Sequence, residues 1–291
     1  MVMEISSTAM RRIKVKETID HRYLGALRIV DRVTGSMVKR PIHITGAGLT
    51  FFPNRSFLQV VSLADGLEAH PAAFEAPPDE PDTRSLNFTV FVEDPLGEYL
   101  ARSATLDLPL DPDPEAENSL FNPFDINMFA APAAHLSPNW SVIRASIYDL
   151  ADMAAEDPIP GALLRVVGAD DQLLMSGMSD QRGEAAVIIP GIPITTFSLG
   201  TEPDGDPATV PAEVDDGLAT GSVIETETPV TLEIIVSPGT PWPVDPGEME
   251  DRRNDWRRQF RDAGSAAMRD ELALELKTGK TRSVKLFVNL T

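Results

Sequence analysis

Apolar and polar residues alternate along several short stretches of this chain. From residue 86 to 93 the apolar positions Phe88, Val90 and Val92 recur at every second residue. Residues 106–110 alternate in the same way. A period of two is typical of a strand with one buried face. The pattern therefore predicts half-buried β-strands over this part of the chain.

One plan of apolar runs occurs twice along the chain. In the first copy a run ends at Asp31, and the next run begins after Pro41. In the second copy the corresponding run ends at Asp149, and the next begins after Pro158. Short apolar runs separated by turn residues are typical of β-sandwiches, and a repeated plan indicates repeated units. We therefore expect two antiparallel β-sandwiches in tandem.

The boundaries of the two units follow from the runs and from the breaks between them. The first sandwich is expected over 20–112, with strands at 24–31, 41–46, 56–63, 86–93 and 99–108. The second is expected over 140–238, with strands at 141–149, 161–168, 172–178, 184–190, 195–199 and 230–236. Residues 113–139 form a Pro-rich connector whose second part is too apolar for a free linker.

The two ends of the chain differ from the sandwiches. Residues 1–19 form a basic arm, and residues 239–291 are expected to hold a helix followed by a strand. Asp245 followed by Pro246 is a typical helix start, and apolar residues recur at helical spacing to about residue 276. Alternation over 284–290 predicts a terminal strand, which must complete one of the sandwiches or extend a sheet in a neighbouring subunit.

Charge is distributed unevenly over the 291 residues, whose net charge is −20. Residues 1–40 have a net charge of +5, residues 41–247 of −27, and residues 248–291 of +2. An acidic body repels nucleic acid and anionic membranes. The basic ends suit an acidic protein partner, which could be another copy of the chain, although ordinary solvation and local salt bridges explain the same asymmetry.

Targeting signals are not expected in this sequence. The first 16 residues lack the continuous apolar core of a secretory signal peptide. No run approaches the ~18 apolar residues of a transmembrane helix. The chain has no Cys, which fits folding in the cytoplasm. We therefore expect a soluble, cytoplasmic protein without membrane insertion, which could be released as part of an assembled particle.

Catalytic motifs are also not found. The four histidines His21, His43, His70 and His135 have no metal-ligand spacing, and acidic runs such as 111–117 lack the pattern of a calcium-binding loop. No nucleophile motif, phosphate-binding loop or dinucleotide fingerprint occurs. We predict no catalytic residue, no metal and no cofactor, and therefore a protein that is not an enzyme.

Residues 158–191 carry a family resemblance. Pro158-Ile159-Pro160-Gly161-Ala162, followed by Ser179-Asp180-Gln181-Arg182-Gly183 and an apolar strand that ends near Pro190, resembles the carboxypeptidase regulatory-like sandwich of transthyretin-like or Cna-B type. The resemblance covers about residues 155–236. It implies a mainly β fold of immunoglobulin-like or transthyretin-like type, and it does not include the catalytic carboxypeptidase domain. The whole arrangement also resembles uncharacterised structural proteins of phage-tail-like contractile injection systems.

The functional hypothesis is a non-enzymatic structural component of a larger assembly, such as a baseplate, cap or tail accessory. It would dock on protein subunits through the basic arm, the apolar connector and the terminal strand, and removal of 282–291 would leave both sandwiches folded. The alternative is a stand-alone module that binds carbohydrate or protein through loops 65–85 and 201–222. The predicted interface residues are Phe121, Phe124, Met128, Phe129, Trp256, Phe260, Val284, Leu286, Val288 and Leu290.

Overall fold

The computed structural model describes residues 23–68, 86–111, 113–116, 118–151, 153–192, 227–239 and 241–290. This part of the chain is mainly β, and its strands form four sheets. In chain order the strands are β1 Gly25–Asp31, β2 His43–Gly46, β3 Leu49–Pro53, β4 Gln59–Ala64, β5 Leu86–Glu93, β6 Arg102–Leu108, β7 Phe124–Met128, β8 Ser141–Asp149, β9 Leu163–Val167, β10 Leu173–Met178, β11 Glu184–Ile189, β12 Thr228–Ile235, β13 Phe260–Asp262, β14 Leu272–Leu276 and β15 Thr281–Val288. The strand predicted at 195–199 lies outside the described residues.

Strands β1–β7, here called the N-terminal half, form a sandwich-like pair of sheets. One sheet has the order β3-β4-β1-β7, and the other has the order β2-β5-β6. Leu27 and Ile126 from the first sheet pack in one apolar core with Val90 and Val92 from the second. The alternation predicted over 86–93 is confirmed, because Phe91 points away from this core and is exposed.

Strands β8–β15, here called the C-terminal half, form a second pair of sheets. Their orders are β10-β9-β12-β14 and β11-β8-β15-β13. Ile143 and Leu286 from one sheet share an apolar core with Leu164 and Leu232 from the other, and all four side chains are fully buried. Every strand of this half has at least one buried residue. All eight strands therefore contribute to the burial of apolar surface that stabilises this half.

The two halves share most of their strand order. In each, the first strand pairs antiparallel with one neighbour and parallel with the last strand, which gives β4-β1-β7 and β11-β8-β15. The facing sheets also correspond, as β2-β5-β6 and β9-β12-β14. They differ in that β3 pairs with β4 whereas β10 pairs with β9, and in the additional strand β13. The sequence plan that occurs twice therefore begins at equivalent strands, β1 and β8.

The helix predicted from Asp245 to about residue 276 is wrong beyond Trp256. Its start is confirmed, since the Asp245 side chain accepts a hydrogen bond from the N–H of Gly247 in the first turn. Two short helices follow, α1 Pro246–Asp251 and α2 Arg253–Trp256. The chain then becomes extended at Arg257. The backbone N–H of Arg258 donates to the carbonyl of Ile234, near the end of β12, and so does not continue the helix.

Apolar spacing beyond Trp256 is better explained by strands than by a helix. Leu272, Leu274 and Leu276 alternate with exposed residues on β14, with the period of a strand that covers a core on one face. The helical spacing of Phe260 with earlier residues misled the prediction, because Phe260 is a fully buried residue of β13. Tertiary packing here overrides local helical spacing.

The terminal strand is confirmed, and it completes a sheet of its own chain. β15 pairs in parallel with β8 over eight residues, from Thr281 to Val288, and antiparallel with β13 on its other side. Leu286 and Val288 are fully buried in the core. The structure argues against the expectation that residues 282–291 could be removed without unfolding either sandwich, because β15 lies between β8 and β13 in its sheet.

The predicted connector also contributes to a sheet. Its apolar part contains β7, which pairs in parallel with β1 and buries Ile126 and Met128. This pairing explains why residues 124–128 are too apolar for a free linker. Among the residues that the structure describes, no helix is long and apolar enough to cross a membrane.

Candidate functional site

The two halves meet along residues 242–257, here called the bridging segment, which follows β12 and contains α1 and α2. Ser103 of β6 donates its backbone N–H to the carbonyl of Val244, at 2.9 Å. The carboxylate of Asp245 accepts a hydrogen bond from the backbone N–H of Thr105, at 2.9 Å, and lies 3.3 Å from a guanidinium nitrogen of Arg102. One Asp therefore caps α1 and binds β6 of the other half.

Arg102 is a buried charge at this junction. Its guanidinium donates to the carbonyl of Asn127 on β7, at 2.7 Å, as well as to Asp245. Burial lowers the pKa of Arg102 to about 10, and the charge of Asp245 opposes this shift by stabilising the protonated form. The Arg102 side chain thus connects the edge strands β6 and β7 to the bridging segment.

A cluster of ion pairs lies under the two short helices, on the outer face of the sheet that contains β9 and β12. Arg165 and Glu233 are both buried and hydrogen-bond to each other. Glu233 also lies 3.1 Å from Arg257, and Arg165 lies 2.9 Å from Glu250 of α1. Buried charges require partners of this kind, so the cluster fixes the position of the helices on the sheet.

Apolar contacts surround these polar contacts. The outer face of the C-terminal half carries Leu163 and Ile235, and the bridging segment covers them with Val244 and Met249. Leu100, Phe129 and Ala131 of the chain between β5 and β8 belong to the same buried cluster. The junction is therefore a small core of its own, with ion pairs at its side.

A cleft opens beside this junction, between the edge strands β6 and β7. It consists of a cavity of about 570 Å³ and an adjoining one of about 290 Å³, which share Thr105, Asp107 and Phe124 in their linings. At one end it is closed where the N–H of Leu100 donates to the carbonyl of Phe129, at 2.8 Å. We call it the β6–β7 cleft.

A second cavity, of about 580 Å³, lies at the opposite end of the C-terminal half. Glu227 and Glu275 face each other there, and Lys277 lies 2.9 Å from Glu227. Hydrogen bonds with Lys277 and Glu275 lower the pKa of Glu227, whereas the hydrogen bond with Glu227 raises the pKa of Glu275. Both carboxylates are exposed, so the pair is a surface contact.

Residues 179–183, which carry the family resemblance in the sequence, form a tight connection between β10 and β11. Ser179 is fully buried, and its hydroxyl donates to the carbonyl of Ile159 and accepts from the N–H of Ala162, both at 2.8 Å. The Asp180 carboxylate accepts from two backbone N–H groups of the turn, and Gly183 has φ +73°. These residues therefore stabilise the backbone, as turn-forming residues do.

Residue types that carry catalysis are not brought together. No group of three or more His, Asp or Glu in the described part of the chain has the arrangement of a metal site. His43 begins β2 with an exposed side chain, and His21 and His70 lie outside the described residues. The arrangement at the junction holds strands and helices together, and the β6–β7 cleft can accept an extended or flexible ligand.

The ten predicted interface residues separate into three groups. Met128, Phe129, Phe260, Leu286 and Val288 are buried inside the chain. Trp256 and Val284 are partly buried against apolar clusters of the chain itself. Phe121, Phe124 and Leu290 are 67 %, 39 % and 40 % exposed. The burial of the first group explains its apolar character within one chain, and the last group can contact a partner.

Sequence reasoning missed the bridging segment and its ion pairs. Arg165 and Glu233 interrupt the apolar runs of β9 and β12, two strands that are buried on both faces. A charged side chain is rarely buried in such a strand unless it is paired. Opposite charges in two such runs were the available signal, since buried charges are paired. The sequence does not show which strands are neighbours.

Comparison with known proteins gives little. No protein-family model matches the chain, and no curated protein matches it. A solved structure of the Bacillus anthracis TIE protein aligns with 92 % of this chain and 34 % of its own, at 8 % sequence identity and a TM-score of 0.27. This chain thus spans about a third of that protein's length, and the likeness is too low to support an argument.

Proposed function

We propose that the protein is a non-enzymatic structural component of a larger assembly, which docks on protein subunits mainly through its N-terminal half. The distribution of exposed apolar side chains carries this proposal. Of the eleven large apolar residues that are exposed in the described chain, nine lie in or beside the N-terminal half. They are Tyr23, Phe52, Phe57, Leu63, Leu86, Phe91, Leu96, Phe121 and Phe124.

Exposed apolar residues are ordinary when they are scattered singly. Here Phe52 and Leu63 lie on neighbouring strands of one sheet, and Phe91 points outward from the facing sheet. Aromatic residues are enriched at the centres of protein interfaces. The C-terminal half contributes only Met268 and Leu290 to the exposed set among the described residues, so the asymmetry favours a docking surface on the N-terminal half.

Assembly into a phage-tail-like contractile particle is the setting that the sequence resemblance suggests. The buried Ser179 and the tight turn at Gly183 support the companion proposal, that the C-terminal half is a sandwich of carboxypeptidase regulatory-like type. The alternative of a carbohydrate-binding module would use loops 65–85 and 201–222. Residues 69–85 and 201–222 lie outside the described residues.

Sedimentation velocity over a wide range of protein concentration tests the proposal. We expect self-association that is lost when the three most exposed apolar side chains are replaced, in the combined variant Phe52→Ser, Leu96→Ser and Phe121→Ser. Thermal stability should hardly change, because these side chains are already in water. The matched control is Met268→Ser. A protein that stays monomeric at all concentrations, and forms no complex in cells that produce it, would contradict the proposal.

A further inference from the structure

The β6–β7 cleft has a free strand edge along one wall. β6 is the edge of its sheet, and the backbone N–H groups of Ser103 and Thr105 point away from β5 and bind the bridging segment. By the two-residue period of a strand, the N–H of Asp107 points to the same side. No described residue accepts a hydrogen bond from it. The bridging segment thus covers only the first part of this edge.

Negative charge is in excess along the cleft. The carboxylates of Asp125, Asp245, Glu248 and Glu250 are each paired with an Arg side chain. The three other lining carboxylates, from Asp107, Asp111 and Asp251, make no ion pair with a described residue. Two cations, Arg32 and Arg102, also line the cleft, and Arg102 is held by Asp245. The open part of the cleft is therefore acidic.

Apolar groups lie beside these carboxylates. Phe124 is 39 % exposed at the mouth of the cleft, and Ala104, Pro109, Leu110, Phe129 and Pro246 form the rest of the apolar lining. An extended segment suits such a site when basic and apolar side chains alternate along it. The basic side chains would meet the carboxylates, and the apolar ones would cover Phe124.

Residues 11–16 of this chain have that pattern. Arg12, Lys14 and Lys16 alternate with Ile13 and Val15, which gives one basic and one β-branched apolar side along an extended chain. These residues lie outside the described part of the structure. Their net positive charge complements the net charge of −27 over residues 41–247.

We propose that residues 11–16 of a second copy of this chain bind in the β6–β7 cleft in extended form, along the free edge of β6. This inference rests on the proposed function, because it names the partner for self-assembly. The start of β1 lies beside the cleft, since a Cβ at Gly25 would lie 2.9 Å from the side chain of Leu110, which lines it. We commit to a second copy because exchange of this segment between chains would produce the self-association expected of the protein.

A charge exchange in the full-length protein tests this contact. The cleft variant is Asp107→Lys with Asp251→Lys, and the arm variant is Lys14→Glu with Lys16→Glu. Sedimentation velocity should show that each variant associates with itself at least about tenfold more weakly than the wild type. An equal mixture of the two variants should form heterodimers, because a reversed arm then meets a reversed cleft. The control variant, Asp170→Lys with Asp270→Lys, changes exposed carboxylates outside the cleft and should associate normally.

The possible outcomes are distinct. Heterodimers in the mixture support the proposal. If self-association is unaffected by the cleft variant but is lost in the Phe52, Leu96 and Phe121 variant, the cleft inference is overturned and the proposed function stands. A wild type that stays monomeric overturns the cleft inference, and it overturns the proposed function as well if it also forms no complex in the cells that produce it. If that monomer loses thermal stability in each reversal and regains it when both are combined in one chain, the chain's own arm occupies the cleft.

Discussion

The N-terminal and C-terminal halves are built on nearly the same strand order but cover their sheets differently. In the C-terminal half, apolar residues on both outer faces are buried. The bridging segment covers Ile235 on one face, and residues 130–140 cover Val142 and Ile188 on the other. In the N-terminal half, Phe52 and Phe91 remain exposed on the two outer faces. One half therefore hides its outer faces within the chain, and the other presents them.

This difference suggests a division of work between two similar scaffolds. A sandwich whose outer faces are covered by its own chain has little surface left for a partner, and its added segments increase its buried apolar area. A sandwich with exposed aromatic residues leaves that surface available to a partner, which is the role we propose for the N-terminal half. Since the bridging segment belongs to the C-terminal half and binds β6 of the N-terminal half, the covered half also holds the exposed half in place.

Removal of β15 should cause the largest difference in stability between the two halves. Truncation after Lys280 removes Leu286 and Val288, which are fully buried, together with the whole ladder to β8. Truncating a single buried Leu to Ala costs about 2–5 kcal/mol, and small folded units have about 5–15 kcal/mol in total. We expect the C-terminal half to unfold while the N-terminal half resists proteolysis. Limited proteolysis with mass spectrometry checks this.

The control for that truncation is removal of residues 289–291, which leaves β15 intact. This shorter truncation should leave both halves folded. If the truncation after Lys280 instead leaves the C-terminal half resistant to protease, the terminal strand is dispensable and its assignment to the core is wrong.

The second effect concerns the ion pairs that hold the helices on the C-terminal half. Glu233→Ala removes the buried partner of Arg165 and leaves only the less buried Glu250 beside it. Removal of one member of a buried ion pair typically costs about 3–5 kcal/mol. Glu271→Ala is the matched control, because Glu271 contacts the same Arg257 from an exposed position, where such a pair contributes ~0–1 kcal/mol. Urea unfolding measures both. Equal losses of unfolding free energy in the two variants would contradict the expectation that the buried ion pair contributes more to stability than the exposed one.

The sequence predicts the mainly β class, the strands of the two repeated runs and the start of α1, because each follows from local alternation or capping. Its failures come from pairing at long range. Leu272, Leu274 and Leu276 are consistent with a strand, but β14 is established only by its contact with β12. Phe121 and Phe129 lie close together in sequence, but Phe121 is exposed and Phe129 is buried. The difference arises because Phe129 packs against the bridging segment, which the sequence does not reveal.

A smaller effect compares one glycine from each half. Gly35 and Gly183 both have positive φ, in turns that follow an Asp. A Cβ at Gly183 would lie 2.4 Å from the carbonyl oxygen of Ile147, whereas a Cβ at Gly35 would meet nothing within 4 Å. Gly183→Ala should therefore cost about 2–3 kcal/mol, and Gly35→Ala about 1 kcal/mol from the backbone conformation alone. Thermal unfolding of the two variants checks the order, and a reversed order would contradict the close approach.

The smallest effect tests whether the halves unfold together. Asp245→Ala removes the cap of α1, the partner of Arg102 and the acceptor for the N–H of Thr105. Loss of a helix cap typically costs about 0.5–2 kcal/mol, and Arg102 keeps its hydrogen bonds to the carbonyls of Ser103 and Asn127 when the carboxylate is removed. Because these contacts cross the junction, we expect calorimetry to resolve two transitions where the wild type shows one. Asp251→Ala, in the same helix but without a hydrogen bond or ion pair to β6 among the described residues, should leave a single transition. Two transitions in the wild type would show that the junction does not couple the halves.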